Sequence, residues 1–161
     1  MPPIVTIASA EKLLHILEGF LQRSEAGFAM IIDRGGTVLS QAGRPPEGTD
    51  ITILGALAAG SFAATGELAS RVGEGEFNAL YQQGANFNIL MNAIDENTML
   101  VTLFGNNTSV GLVRFYATKV TQDIHTIILE LSNPQNAGPI FTEQDLNNAA
   151  NIFENPPPEE K

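Results

Sequence analysis

Cysteine is missing from all 161 residues. Disulfides, thiolate metal ligands and cysteine nucleophiles are therefore excluded, and a reducing compartment suits the chain. Positive charge is scarce: 8 Lys and Arg stand against 18 Asp and Glu, for a net charge of −10. That balance argues against nucleic acid, which needs clustered bases to neutralise phosphates, and against anionic membrane surfaces. A basic protein partner suits it better. Apolar runs stop short of the ~18–20 residues that cross a bilayer, so no membrane insertion is expected. The opening "MPPIVTIASAEKLL" has no basic stretch ahead of an apolar one, so no signal peptide and a cytoplasmic address are expected.

Chemistry-bearing patterns are equally sparse. His15 and His125 each fall within an amphipathic pattern, with no Asp, Glu or His at ligand spacing, so no metal is expected. There is no GxSxG elbow. The acids Glu11, Glu18, Glu25, Asp33, Glu47, Asp50 and Glu67 are scattered, and spacing alone pairs none of them for acid–base work. Asn106-Asn107-Thr108 and Asn107-Thr108-Ser109 match the glycosylation pattern by chance. No catalytic residue and no cofactor follow from these patterns.

Periodicity gives an organisation. Ser9 is placed to cap a helix bearing Leu13, Leu14, Leu17, Phe20 and Leu21 on one stripe. "FAMIID" (28–33) and "TVLSQA" (37–42), joined by Arg34-Gly35-Gly36, read as a hairpin. The loop "GRPPEGTD" (43–50) follows, and Asp50 or Thr49 can cap a helix over about 51–72, closed by Gly73 and Gly75. "FNALYQQ" (77–83), "NFNILMNAI" (86–94) and "TMLVTLF" (98–104) form a meander. Val113, Tyr116, Val120, Ile124, Ile127 and Leu131 mark a helix over about 110–132, which Asn133-Pro134 stops. The order α-β-β-α-β-β-β-α predicts an α+β fold, a five-stranded antiparallel sheet between helices. Residues 1–133 form this domain. Residues 134–161 form an appendix with a short amphipathic helix at about 142–153.

The stretch "GALAAGSFAATG" (55–66) is the unusual one: ten of its twelve residues are Gly, Ala, Ser or Thr. It is not a phosphate loop, because GxxxxGK[ST] needs a lysine and the segment has none. Read as a helix, it can place Leu54, Leu57, Ala58, Ser61, Thr65 and Leu68 against the sheet. Ala56, Ala59, Gly60, Ala63, Gly66, Glu67 and Ser70 then fall on the other side. Glycine inside a helix costs about 0.5–1 kcal/mol relative to alanine. Either the chain's own sheet needs the small residues, or one face is left for another chain to approach closely.

Three stretches together resemble one family. "GFAMIIDRGGTVLSQAG", "LAAGSFAATGELASRVGEGEF" and "YQQGANFNILMNAIDENTMLVTLFGNNTSVGLVRFYATKV" are similar to the hairpin, central helix, meander and last helix of roadblock (dynein light chain type) domains. The likeness covers about residues 8–132. "EGEFNALYQQG" and "TSVGLVRFYATKV" resemble the bacterial Mgl-type members, which act on a Ras-like GTPase of gliding motility and cell polarity. Gly105 departs from the pattern, where many relatives carry an acid.

The resemblance implies a roadblock/profilin-like layered sandwich that forms a homodimer. Strand 77–83, with Phe77, Ala79 and Tyr81, and the central helix would meet their mates. The paired helices would carry one GTPase on two regulators. The implied activity is stimulation of the partner's GTP hydrolysis without catalytic residues of its own, in the cytoplasm and with recruitment to a cell pole. The implied partner face is Ala56, Ala59, Gly60, Ala63, Gly66 and Glu67, with Phe62, Ser70 and Arg71 at its rim. Of the arginines Arg23, Arg34, Arg44, Arg71 and Arg114, only Arg44 is expected to reach outward freely, and as a solvated loop residue, not as a finger. By family analogy, the apolar edge Phe141, Leu146, Ala150 and Phe153 of the appendix is a further GTPase contact; packing on its own domain is the alternative. Two other readings stay open: a non-activating roadblock scaffold, and a PAS- or profilin-like sensor whose cavity Phe87, Ile89, Met91 and Leu100 would line.

Overall fold

Residues 6–133 and 135 are described in the computed structural model of the chain. The elements follow the expected order: α1 (Ile7–Ser24), β1 (Phe28–Asp33), β2 (Val38–Gly43), α2 (Ile51–Arg71), β3 (Ala79–Gln83), β4 (Asn88–Ala93), β5 (Thr98–Phe104) and α3 (Val110–Leu131). The strands make one antiparallel sheet in the order β2-β1-β5-β4-β3. The fold is an α+β sandwich, with α1 and α3 on one face of the sheet and α2 on the other. The expected helix at 142–153, with Phe141, Leu146, Ala150 and Phe153, lies outside the described residues.

β1 and β5 sit in the middle of the sheet and are buried along almost their whole length. "FAMIID" and "TMLVTLF" fail to alternate apolar and polar residues because both of their faces are covered. Ala29, Ile31, Leu100 and Phe104 face Leu13, Leu17, Phe20, Ala117 and Ile124 of α1 and α3. Met30, Ile32, Met99, Val101 and Leu103 face α2. The two layers are unequal. A buried Leu, Ile or Phe contributes about 1.5–3 kcal/mol, and α1 and α3 bury many. The fully buried apolar residues of α2 are alanines, helped by half-buried Ile51, Leu54 and Phe62.

Helix starts are satisfied by side chains. Asp50 accepts from the Ile53 amide at 3.1 Å and Ser109 from the Leu112 amide at 3.2 Å. α1 is capped by Thr6, not by Ser9. Ser9 lies inside the first turn, buried, with its amide donating to Thr6 Oγ1 and its hydroxyl to the Thr6 carbonyl. The end of α1 is tied to the start of α3: Asn107 Nδ2 donates to the Glu25 carbonyl and Thr108 Oγ1 to the Ser24 carbonyl. Thus Asn107 and Thr108, which match the glycosylation pattern, satisfy carbonyls at the C-terminal end of a helix.

Two carboxylates shape neighbouring turns. Asp33 Oδ1 accepts from the amides of Gly35 and Thr37, both at 2.9 Å. Asp95 Oδ1 accepts from Asn97 and Thr98. The Arg34 amide donates to the Asn97 carbonyl and links the two turns. His125, for which linear spacing offers no ligand partner, stands with Nδ1 3.7 Å from Asp95 Oδ2, a contact made by the fold.

The sensor reading loses its cavity. Ile89 and Met91 pack on the α2 side of the sheet and Leu100 on the opposite side, because strand residues alternate faces. Phe87 precedes β4 and is exposed.

The β1–β2 turn touches α2 backbone to backbone. Gly36 has φ +87°, and a Cβ there would lie 2.6 Å from the Ala56 Cα. A Cβ on Gly55 would lie 2.5 Å from the Gly36 carbonyl oxygen. Gly55 is therefore small because its own fold demands it. Gly55→Ala is expected to destabilise the protein by about 1–3 kcal/mol through overpacking, despite alanine's better helix propensity. Urea unfolding followed by circular dichroism measures it; an unchanged or higher midpoint would show that the turn is free to move away.

Candidate interface on the second helix and the outer strand

Inside α2, the buried positions are Gly55, Ala58, Ala59, Thr65 and Ala69. This corrects the expected phase of the helix. Leu57 and Leu68, expected against the sheet, are 65% and 60% exposed, whereas Ala59, expected on the partner face, is 4% exposed. Phe62, expected at the rim, is half-buried and packs into the inner cluster. The cause is the glycine contact with the β1–β2 turn, which leaves room for alanines beneath the helix and turns the leucines outward.

The outer surface of α2 then has two strips. Ala56, Gly60, Ala63, Glu67 and Ser70 are exposed, as expected, and form a strip of small residues ending in charge. Ile53, Leu57, Ala64 and Leu68 form a second, apolar strip beside it. The sequence reading missed that strip, although its spacing of four, seven and four residues was legible. Gly66 is exposed next to the inner face. A Cβ on Gly60 or on Gly66 would meet nothing within 4 Å, so neither glycine is required by the chain's own packing. Arg71 is held to Glu67 by Nε and Nη2, both 2.8 Å from Oε1. That pair is well exposed and contributes little stability.

Among the described residues, α2 is the one helix long and apolar enough to cross a membrane by length and composition, contrary to the sequence expectation of no such stretch. It nonetheless lies along the sheet with its inner stripe packed. Its apolarity is divided between a stripe that the sheet uses and a stripe that no described residue covers.

A cleft of about 250 Å³ opens at the C-terminal half of α2. Ala63 and Gly66 lie on one wall, Phe77 of the connection to β3 on another, Arg34, Asp95 and Glu96 of the two linked turns on a third, and Ala93, Thr98 and Met99 of the sheet also line it. All five arginines, Arg23, Arg34, Arg44, Arg71 and Arg114, are exposed. Arg44 is therefore not alone in reaching outward: Arg34 lines the cleft with Ala63 and Gly66, and Arg71 closes the small-residue strip.

β3 is an outer strand paired with β4 alone, and its residues Ala79, Leu80, Tyr81, Gln82 and Gln83 carry no charge and no proline. Such an edge lacks the usual protection against pairing with another strand. Tyr81 stacks on Phe104 with ring centroids 6.2 Å apart, so its side chain serves its own core. Phe77 lies ahead of the strand and is exposed; Ala79 is exposed within it. No group of three or more His, Asp or Glu suited to a metal ion occurs among the described residues.

The sequence profile of the Roadblock/LC7 domain family matches residues 13–104, more than half of the chain. The chain belongs to the Roadblock/LC7 domain family. Solved structures similar to this roadblock chain include Myxococcus xanthus MglB, 31% identical, with a TM-score of 0.70 over 74% of this chain and 96% of that one. A second is the gliding protein MglB from Thermus thermophilus, 27% identical, with a TM-score of 0.75 over 80% and 97%. A third, described as MglB with a tetrameric arrangement, is 26% identical, with a TM-score of 0.77 over 81% and 97%. Acanthamoeba castellanii profilin II shares the fold alone, at 12% identity and a TM-score of 0.52 over 71% and 97%. A search of the curated proteins gives no match.

The two outward glycines have a stability signature. Gly60→Ala and Gly66→Ala are each expected to stabilise the isolated protein by about 0.5–1 kcal/mol, because alanine is the better helix former and the new methyl group meets nothing. Thermal unfolding of each variant at low protein concentration checks this. A loss of stability would mean that the roadblock fold itself needs these glycines.

Proposed function

We propose that this roadblock protein is a homodimeric activator of a small Ras-like GTPase of the kind on which Mgl-type proteins act, in cell polarity or gliding motility. The observation that carries the reading is the outward placement of Gly60 and Gly66, a cost in helix stability that the chain's own packing does not explain. The likeness to MglB structures supports it.

Roles are assigned by chemistry. Interfaces between permanently associated copies are more apolar than transient ones. Ile53, Leu57 and Leu68, together with the uncharged edge of β3, therefore belong to self-association. The strip Ala56, Gly60, Ala63, Glu67 and Ser70, ending at Arg71 and the Phe77 cleft, belongs to the GTPase. Two regulators then carry one GTPase in the cytoplasm, with recruitment to a cell pole. Activation works by repositioning the GTPase's own catalytic groups. A finger supplied in trans would account for about 10³–10⁵ in rate, and the exposed Arg34 and Arg44 are the residues to test for one. A roadblock scaffold would bind without changing the rate.

Single-turnover GTP hydrolysis by the cognate GTPase, with and without this protein, tests the reading. The expected result is stimulation by the wild type, retained within about tenfold by Arg34→Ala and Arg44→Ala, well short of the loss of a finger. Ala63→Arg is expected to abolish GTPase binding while sedimentation still reports the wild-type oligomer. Binding with no stimulation would make the protein a scaffold, and normal binding by Ala63→Arg would place the GTPase elsewhere.

A further inference from the structure

The seam between α1 and α3, on the side of the sheet away from α2, is open at two places. Near the end of α1 a groove of about 210 Å³ has Ile16 and Tyr116 on opposite walls, with Gly19 leaving space between them. Arg23 of α1 and Lys119 of α3 stand at this groove, with Asp123 its one acid. In a chain with a net charge of −10, this is a local concentration of positive charge. Neither cation takes part in an ion pair among the described residues; Lys119 stands 4.4 Å over the Phe115 ring. At the other end of the seam, a groove of about 260 Å³ lies between Ala8, Ser9 and Lys12 of α1 and Ile127, Glu130 and Leu131 of α3, with Lys12 and Glu130 paired at 3.7 Å. α3 ends at Leu131, which lines this second opening.

The C-terminal sequence is complementary to the opening at Arg23 and Lys119. "FTEQDLNNAANIFENPPPEEK" (141–161) holds five acids and one lysine, and its large apolar residues are Phe141, Leu146, Ile152 and Phe153. The path from Leu131 back to Tyr116 along α3 is ~22 Å. Residues 132–140, extended, reach up to ~30 Å, and a helix of twelve residues is ~18 Å long. A segment starting at 141 can thus reach either opening.

We propose that the α1–α3 seam is the docking groove of the chain's own acidic C-terminal segment, its apolar edge lying on Ile16 and Tyr116 and its acids beside Arg23 and Lys119. In the free protein the segment is held in cis, on the opposite side of the sheet from the α2 platform. It becomes available to any other partner only after release. The docking requires neither the GTPase nor the dimer.

The absence of cysteine makes the test clean. Gly19→Cys and Ala150→Cys are introduced together into the full-length chain; a Cβ at residue 19 meets nothing within 4 Å, so that site tolerates the change. Disulfide formation in dilute protein is followed by mass spectrometry, against a control pair with Glu47→Cys on the exposed loop after β2 in place of the change at 19. The expected result is a disulfide within one chain, forming ~10-fold faster than in the control pair, as raised effective concentration requires. It should slow towards the control rate in ~0.5 M salt, where exposed charges are screened, and in an Arg23→Glu, Lys119→Glu background whose circular dichroism is unchanged. A rate equal to the control, or insensitivity to both charge reversals, would overturn the docking. Disulfides found only between two chains would assign the groove to a second copy and overturn the cis arrangement.

Discussion

The backbone contact between Gly36 and Gly55 fixes where α2 sits, and most of what the surface offers depends on that placement. α2 has no row of large buried side chains to anchor it. Its fully buried apolar side chains are Ala58, Ala59 and Ala69. Such a helix gains its hold through close approach, and close approach needs a turn whose backbone can enter the helix surface. Asp33 supplies it by bonding two amides of the β1–β2 connection, and the positive φ of Gly36 presents its carbonyl to the helix. Once that contact is made, the rotational phase of α2 is set. Ala58, Ala59 and Ala69 face inward, and Leu57, Leu68, Gly60 and Gly66 face outward.

The two sides of the sheet therefore divide the labour. α1 and α3 bury Leu13, Leu17, Phe20, Ile124, Ile127 and Ile128 and are locked together at the Asn107 and Thr108 bonds. That layer can carry the fold. The α2 layer is thin, and its outer face lacks the charge that covers most exposed helices. Glu67 and Arg71 are the charged residues of α2, and they neutralise one another near its end. β3 repeats the theme at the sheet's edge, with five uncharged residues. A helix face and a strand edge left bare on one molecule are the two surfaces that pairing between copies would use together.

Much of this was legible in the sequence, for identifiable reasons. The buried strands declared themselves by runs such as "FAMIID" and "TMLVTLF", and β5 has the expected limits. Asp50 and Ser109 mark helix starts because a side-chain acceptor next to an apolar run has few other uses. The phase of α2 was not legible. With small residues on every side, hydropathy favours turning leucines inward, and only a contact 19 residues away in sequence, from Gly36 to Gly55, reverses that choice. The same blindness to distant contacts hid the approach of His125 to Asp95 and the position of Arg34 beside Ala63. It also prevented a distinction among the glycines of "GALAAGSFAATG": Gly55 answers to its own fold, whereas Gly60 and Gly66 do not. The cap of α1 was misplaced by three residues because Thr6 and Ser9 are both capping types, and Ser9 is spent inside the turn.

The division of the outer face of α2 has an energetic logic. A Leu or Ile moved from water into an interface contributes about 1.5–3 kcal/mol. Ile53, Leu57 and Leu68 are 58%, 65% and 60% exposed, so covering them on two copies would yield a smaller share of that value each, offset in part by the cost of association. Self-association through that strip would stabilise α2 itself, so the stability of the helix becomes linked to protein concentration. The small-residue strip behaves differently. Glycine and alanine lose no side-chain entropy on binding, but they also bury little area. A contact built on Ala56, Gly60 and Ala63 gains from close backbone approach and shape, and little from hydrophobic transfer. It is therefore suited to a partner that must leave again. On the proposed assignment, the apolar strip would hold the copies together, and the bare one would let a GTPase come and go.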